Sequence, residues 1–389
     1  MYIDKPPWLE HSDQTFSLDI DASGARLVTS STGAVRVWSL APILDEPSEL
    51  DASKPRLLAT LQDHSAPVNV ARFSRAGGRL ATGSDDTCVV VSELRPGAAA
   101  AAAAFGGGAG AQRGVEAWRP VQVLRGHSSI VADLAWSHDD QLLATASIDS
   151  LVGIWAVGER PYRLVTFIKG HAGHVKGVAW DPLGRYLASQ GDDGVRVWAC
   201  DGWGQVAHLS AEFKFASKQM FNLRLAWSPD GQWLAAPNAF DRRTQRNHCR
   251  VYKRDQWDEF FCFVGHNAPV VAVRPNPRLF YTPVAPSAGA TGDGGGPETI
   301  VARGVGQKGG GGPGGSGAGG VEVSEEPSTV FALASMDKQF SVWSSGRPRA
   351  VVLGSRVSKL GILDAAWTPD GYNLVVLSLD GAVVTCRCV

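Results

Sequence analysis

The sequence has almost no net charge: 37 Lys and Arg stand against 38 Asp and Glu over 389 residues. A balance that even excludes a general polyanion binder, and equally an acidic tract that holds basic proteins by field alone. Charged residues make up only 19% of the chain. Its six cysteines follow no framework spacing, and no Asn-x-Ser/Thr acceptor occurs. A disulfide-stapled secreted fold is therefore not expected. With no signal peptide and no long apolar run, the sequence reads as soluble, with no membrane contact, in a reducing nuclear or cytosolic setting. Sustained helical periodicity is missing too. Apolar residues reach 44%, enough for a sizeable core, and 13 of the residues are tryptophan. The length allows two or three average domains, or one large all-β domain.

The tryptophans mark a repeat. Trp38, Trp155, Trp198 and Trp343 each end a run of alternating β-formers: "AVRVW", "LVGIW", "GVRVW" and "QFSVW". "CVVVS" at Ser92, "HCRVY" at Tyr252 and "AVVTC" at Cys386 hold the same place. Successive intervals are uneven because of two low-complexity insertions, an Ala/Gly-rich stretch at 96–114 and a Gly-rich one at 282–328. Without them the period is about 44 residues, and seven units account for almost the whole chain as a single domain, 1–389. An upstream run in several units ends on a bulky residue before a turn: Phe73, Trp136, Trp180, Trp227 and Trp367. The Asp-Gly corners that follow Trp227 and Trp367 are a hairpin signal, since Gly takes the positive φ of the turn.

These units resemble the WD-repeat family, which implies an all-β, seven-bladed β-propeller. In that family a His, a Ser or Thr, an Asp and a Trp form a hydrogen-bonded set inside the blade. The third unit supplies His127, Thr145, Asp149 and Trp155; the fourth supplies His171, Ser189, Asp193 and Trp198. The sixth keeps His266, Asp337 and Trp343, and the second keeps His64, Thr82 and Asp86 with Ser92 in the Trp place. The first, fifth and seventh lack most of the set. A buried Asp beside a His needs full hydrogen bonding, which the hydroxyl and the indole N–H complete. Recurrence in several blades marks the set as scaffold; no catalytic residue is assigned. Only three residues follow Cys386, too few for an outer strand, so a segment within Met1 to Asp13 is expected to close the last blade.

Other patterns carry no chemistry. "GVGQKG" at 304–309 matches a dinucleotide glycine pattern but follows no strand and opens no helix, so it reads as linker. His171 and His174 have a usable metal spacing, yet His171 belongs to the blade set; no metal and no cofactor are expected. Cys386 and Cys388 read as packing. The one basic cluster is 241–254, with Arg242, Arg243 and Arg246 at a turn between the second and third strands of blade five. That turn shares a face with the Gly-His loops. The acidic run Asp45, Glu46, Glu49 and Asp51, and both insertions, fall on the opposite face. The three arginines are candidate partner contacts, for an acidic peptide, a phosphate or a nucleic acid, against a solvated loop.

Finer likeness lies in "KPPWLEHSDQTFSLDI", "HSAPVNVARFSRAGGRLATGSDD", "KGHAGHVKGVAWDPLGRYLASQGDDGVRVW", "LRLAWSPDGQWL" and "FVGHNAPVVAVRPNP". In this order they resemble the N-terminal propeller of the HIRA/Hir histone-regulator family. The small WD-repeat subunit of chromatin assembly factor is the near runner-up. The resemblance implies a nuclear, non-catalytic subunit of a histone chaperone complex, in replication-independent nucleosome assembly and transcriptional regulation. It implies direct contact with a ubinuclein-type subunit and contact with histones only through the complex. The anti-silencing histone chaperone would bind a later region, which this sequence, ending at Val389, does not contain. Strong direct nucleic-acid binding is not expected. Pro275 departs from the pattern, where blade six should carry an aromatic. A peptide receptor of a ubiquitin ligase is the competing class, but no F-box-like helix accompanies the repeats.

Overall fold

The computed structural model describes residues 2–9, 11, 13–95, 115–283 and 323–387. The 96–114 insertion, most of the 282–328 insertion, the "GVGQKG" stretch and Cys388 lie outside the described residues. Seven antiparallel sheets of four strands each follow one another along the chain. Blade one runs Thr15–Ile20, Arg26–Ser31, Val35–Ser39 and Leu57–Leu61, and the next three repeat that order. The first strand of each blade meets the first strands of its neighbours, so these strands line the middle of a ring. The chain is a seven-bladed β-propeller.

Closure comes from the N-terminus, as the strand count required. Tyr2–Asp4 pairs antiparallel with Val383–Arg387 in the register Tyr2 to Arg387, Ile3 to Cys386 and Asp4 to Thr385. The last blade thus takes its outer strand from the chain's first residues, and its edge is covered. Leu9, fully buried, packs with Leu18, Leu27, Trp38, Val375 and Leu377, in the seam between blades seven and one.

The core is distributed in the same way. Seven apolar clusters occur among the described residues, and each spans one pair of adjacent blades. A strand in this ring buries both faces, which is why inner runs such as "VNVARF" are buried throughout. Three of the bulky residues before the turns have a second task. The indoles of Trp136, Trp180 and Trp367 donate to the carbonyls of Arg72, Ala135 and Arg274, each in the preceding blade, at 2.9–3.1 Å. These bonds tie blades three, four and seven to the blades before them. The turns that follow Trp227 and Trp367 place Gly231 and Gly371 at φ of 72° and 78°, the conformation for which Gly is suited.

Three features differ from the plain repeat. Two short helices, Ala41–Leu44 and Glu46–Leu50, fill the connection between the third and fourth strands of blade one. In blade six the hairpin is long: Val270–Pro283 pairs with Val323–Ser335, so strand reaches both margins of the Gly-rich insertion. Pro275 stands opposite Phe331, and the register shifts between Pro275 and Leu279, a bulge that accommodates a residue with no N–H. In blade five the innermost strand shrinks to Ala226–Trp227. Ahead of it Arg224 forms a parallel bridge to Ala272 of blade six and sends its side chain into the centre of the ring.

Candidate functional site: the two faces and the centre of the ring

The blade sets form as hydrogen-bonded chains. In blade three His127 Nδ1 bonds Asp149 at 2.8 Å and its Nε2 meets Thr145 Oγ1 at 2.7 Å, while the Trp155 indole donates to the same hydroxyl at 3.0 Å. Blade four repeats this with His171, Asp193, Ser189 and Trp198 at 2.5–2.8 Å. In blade four the Ser189 hydroxyl can accept from the Trp198 indole and donate to His171 Nε2, which leaves Nδ1 to carry the proton toward Asp193 with the imidazole neutral. Burial lowers the His171 pKa, in keeping with that neutral form. In both blades the hydroxyl is fully buried and held between the imidazole and the indole, so its bonds are spent within the blade.

The Asp of each set has two further tasks. Asp149 accepts from the Leu151 amide at 3.0 Å, fixing the turn between the second and third strands, and from Ser128 N at 3.0 Å in the loop after the fourth strand of blade two. That turn seats Ser150 at φ 71° without a glycine. Although burial alone would raise it, the His127 bond and these amides hold the Asp149 carboxyl below its ordinary pKa. Asp149→Ala is expected to cost about 2–4 kcal/mol, because one carboxylate serves His127, the turn and the loop. Denaturant titration against the parent chain measures it, and a loss under about 0.5 kcal/mol would contradict the assignment.

In blade six the set is complete, with a hydroxyl that sequence reasoning missed. His266 bonds Asp337 at 3.0 Å, and Ser341 meets His266 Nε2 and the Trp343 indole at 2.7 Å each. The second-strand place is taken by Leu333, and Ser341 stands directly across from it on the third strand. The signal was a Leu at the hydroxyl place with a Ser two residues before the Trp. In blade two His64 bonds Asp86 and Thr82 at 2.9 and 2.8 Å, without an indole. Blade one keeps the Trp38–Thr29 bond at 2.9 Å, and His11 fills the His place against the Trp38 ring edge.

A second constellation was not foreseen. Arg72, Asp133, Arg224, Arg274 and Asp364 come from the inner strands or their lead-ins in five different blades and meet in the middle of the ring. Asp364, fully buried, accepts from Arg274 at 2.9 Å and Arg72 at 3.0 Å, with Arg224 at 3.5 Å. Arg224, also fully buried, donates to the Phe16 and Asn69 carbonyls at 3.0 Å each. Burial would raise the Asp364 carboxyl, but Arg274, Arg224 and Arg72 outweigh it and hold it far below the ordinary carboxylate range. These charges are consumed by one another and by backbone carbonyls. They clamp blades together.

The two faces differ. His–Asp bonds join the loops after the fourth strands to the turns between second and third strands, so both sit on one face. The Arg242–Arg246 turn lies there, capped by the Asp241 carboxylate, which accepts from Arg243 N at 2.8 Å. Arg242, Arg243 and Arg246 are exposed; Arg246 reaches Asn267, next to His266, at 3.2 Å. The rest of the 241–254 cluster is occupied. Arg250 pairs with Glu212 and lies 3.7 Å over the Phe260 ring, Lys253 pairs with Glu259, and Arg254 grips Asp181 at 2.6–2.8 Å on the opposite face. The acidic run on that opposite face is partly spent as well: Asp45 caps the Glu46–Leu50 helix, Asp51 holds Ser53, and Glu49 accepts from the Trp8 indole. Among the described residues no three His, Cys, Asp or Glu side chains gather as a metal would need, and no helix is long and apolar enough to cross a membrane.

The family profile described as the CAF1B/HIR1 beta-propeller domain matches residues 8–214, more than half of the sequence. The chain belongs to the CAF1B/HIR1 β-propeller family. Protein HIR1 of Mycosarcoma maydis is 33% identical over 98% of the chain. Protein HIR1 of Cryptococcus neoformans is 32% identical over 98%, and hir1 of Schizosaccharomyces pombe is 29% identical over 99%. The match takes up 34%, 40% and 37% of these three relatives, so the chain spans little more than a third of their length. The resemblance to the Hir histone-regulator family read from the blade segments holds, and these three relatives bear the HIR1 name rather than that of the chromatin assembly factor subunit.

Proposed function

We propose that this chain is a non-catalytic adaptor: the propeller of a nuclear histone chaperone complex in replication-independent nucleosome assembly and transcriptional regulation. It engages a ubinuclein-type subunit directly and reaches histones through that subunit and the rest of the complex. Kinship with HIR1 proteins supports the complex. One structural observation supports the mode of action: the Gly-His face carries a turn whose Arg242 and Arg243 have no ion pair among the described residues, whereas much of the opposite acidic run caps its own loops. A rigid ring with one free cationic turn suits capture of a partner segment at small ordering cost. The near-zero net charge is ill matched to direct histone capture.

Calorimetric titration tests the proposal at about 150 mM salt, where long-range fields are screened. A ubinuclein-type peptide is expected to bind at micromolar affinity or tighter, and histone dimers alone are not. Changing Arg242, Arg243 and Arg246 together to Ala should weaken the peptide about tenfold. Glu46→Lys, on the opposite face, should leave it unchanged. Tight histone binding without the peptide, or no peptide binding, refutes the adaptor role.

A further inference from the structure

We infer that the segment from Ser210 to Leu223, together with the Arg242 turn, forms a docking site for an extended acidic peptide carrying an apolar side chain between its carboxylates. The segment connects blade four to blade five on the Gly-His face and presents Phe215, 49% exposed, and Phe221, 36% exposed. Two cations converge on the Phe215 ring: the Arg242 guanidinium at 5.0 Å from its centroid and the Lys214 ammonium at 5.7 Å. Neither has a carboxylate partner among the described residues. An aromatic held in water between two unpaired cations is a recognition element rather than a packing one. Two carboxylates placed there would neutralise both cations, and an apolar side chain between them would cover the ring.

The platform is already ordered. Phe213 is buried between blades four and five, and Glu212 pairs with Arg250. The Asn238 amide donates to the Ser217 carbonyl at 2.9 Å, Lys176 Nζ to the Lys218 carbonyl at 2.7 Å, and Leu223 N to the Lys176 carbonyl at 3.0 Å. Gly177 makes the approach feasible, since a Cβ there would lie 1.7 Å from the Leu223 carbonyl oxygen. Binding therefore meets a backbone already fixed in place, from which Phe215 and the two cations are displayed. Single-stranded nucleic acid also stacks on aromatics flanked by cations. Here, however, Asp192, Glu212 and Asp241 stand among the cations and interrupt the positive track a phosphate backbone would follow.

The inference deepens the adaptor reading, whose partner segment would use this site, but its test does not need that partner. The probe is a fluorescein-labelled peptide of alternating Asp and Glu around two central Leu residues, titrated by anisotropy at about 100 mM salt. The full chain should bind it in the micromolar range, with at least tenfold loss in Phe215→Ser and in the Lys214→Glu, Arg242→Glu double variant. A peptide with Ser in place of Leu should lose a similar factor, and Tyr372→Ser on the opposite face should change nothing. No binding of the Leu peptide, equal binding by all variants, or tighter binding of a dT oligonucleotide overturns the site. If the Leu peptide binds here and a ubinuclein-type peptide does not, the adaptor reading fails and the site stands. If the ubinuclein-type peptide binds unaffected by these substitutions, the site fails and the adaptor reading stands.

Discussion

Asp364→Ala should be among the most destabilising single substitutions in the chain, lowering stability by about 3–5 kcal/mol, the usual penalty for breaking a buried ion pair from one side. The carboxylate is fully buried and receives Arg72, Arg224 and Arg274. Its removal leaves three guanidiniums facing one another with Asp133 as the remaining acidic partner in direct reach. Asp19 lies nearby, and burial raises its pKa against the pull of Arg72 and Arg274, so it is a weak substitute. Asp364→Asn, which keeps the shape and acceptor oxygen, should lose less. Since the folded pKa is depressed, the contribution of Asp364 is fully present above the ordinary carboxylate value and fades only as pH falls below it. At neutral pH the whole effect is measurable. Guanidinium titration of the two variants checks it; a loss under about 1 kcal/mol for Ala would show that the arginines are satisfied by backbone carbonyls alone. Added salt should not rescue the variant, because the site excludes the ions that screen exposed pairs.

The network clamps blades that are far apart in sequence, and that is why it was illegible beforehand. Arg72 and Asp364 are 292 residues apart and meet only once the ring has closed. Arg72, Asp133 and Asp364 each sit in a short apolar run, "VNVARF", "VADLAW" or "ILDAAW", where a lone ion is the visible trace. A sequence shows that such an ion must find a partner, but not which of seven blades supplies it. The repeat was legible for the opposite reason. The set His127, Thr145, Asp149 and Trp155 lies within one blade, so its spacing follows from one hairpin and one loop, and any blade that retains it shows the same interval. Ser341 escaped because the hydroxyl had moved across a strand pair, a change visible only in the register Leu333 to Ser341. The helices at Ala41–Leu44 and Glu46–Leu50 were missed because neither is long enough to show a period. The placement of the Arg-rich turn on the Gly-His face was legible from the repeat register. Phe215 was not, since it lies in a connection with no repeat pattern and becomes notable only where Arg242 reaches it.

Closure at the N-terminus supplies the second large effect and gives it a pH signature. Removing residues 1–13 deletes the Tyr2–Asp4 outer strand, the buried Leu9, and Trp8 with its bond to Glu49. Burying one Leu is worth about 1.5–3 kcal/mol, and exposing the edge of Val383–Arg387 adds to that, so a loss of roughly 4 kcal/mol at pH 7 is expected. The same deletion removes His11. Its ring is surrounded by the Trp38 edge, Arg36, whose guanidinium lies 3.0 Å from Nδ1, and Asp13. Burial first, and Arg36 second, lower its pKa from 6.5 to about 4. In that range the unfolded chain takes up a proton that the folded chain refuses. The contribution of His11 to the intact chain's stability is therefore fully present above pH 6.5 and is lost as the pH drops toward 4, by about 3 kcal/mol. The truncated chain lacks this liability. His171 and His248, also lowered by burial, remain in both chains and cancel in the difference. The gap between intact and truncated chains in thermal or denaturant midpoint should thus be widest at pH 7 and narrow by pH 5. A truncated chain as stable as the intact one at pH 7 would show that the edge pairing contributes nothing. A gap independent of pH would show that His11 is not held neutral in the folded ring.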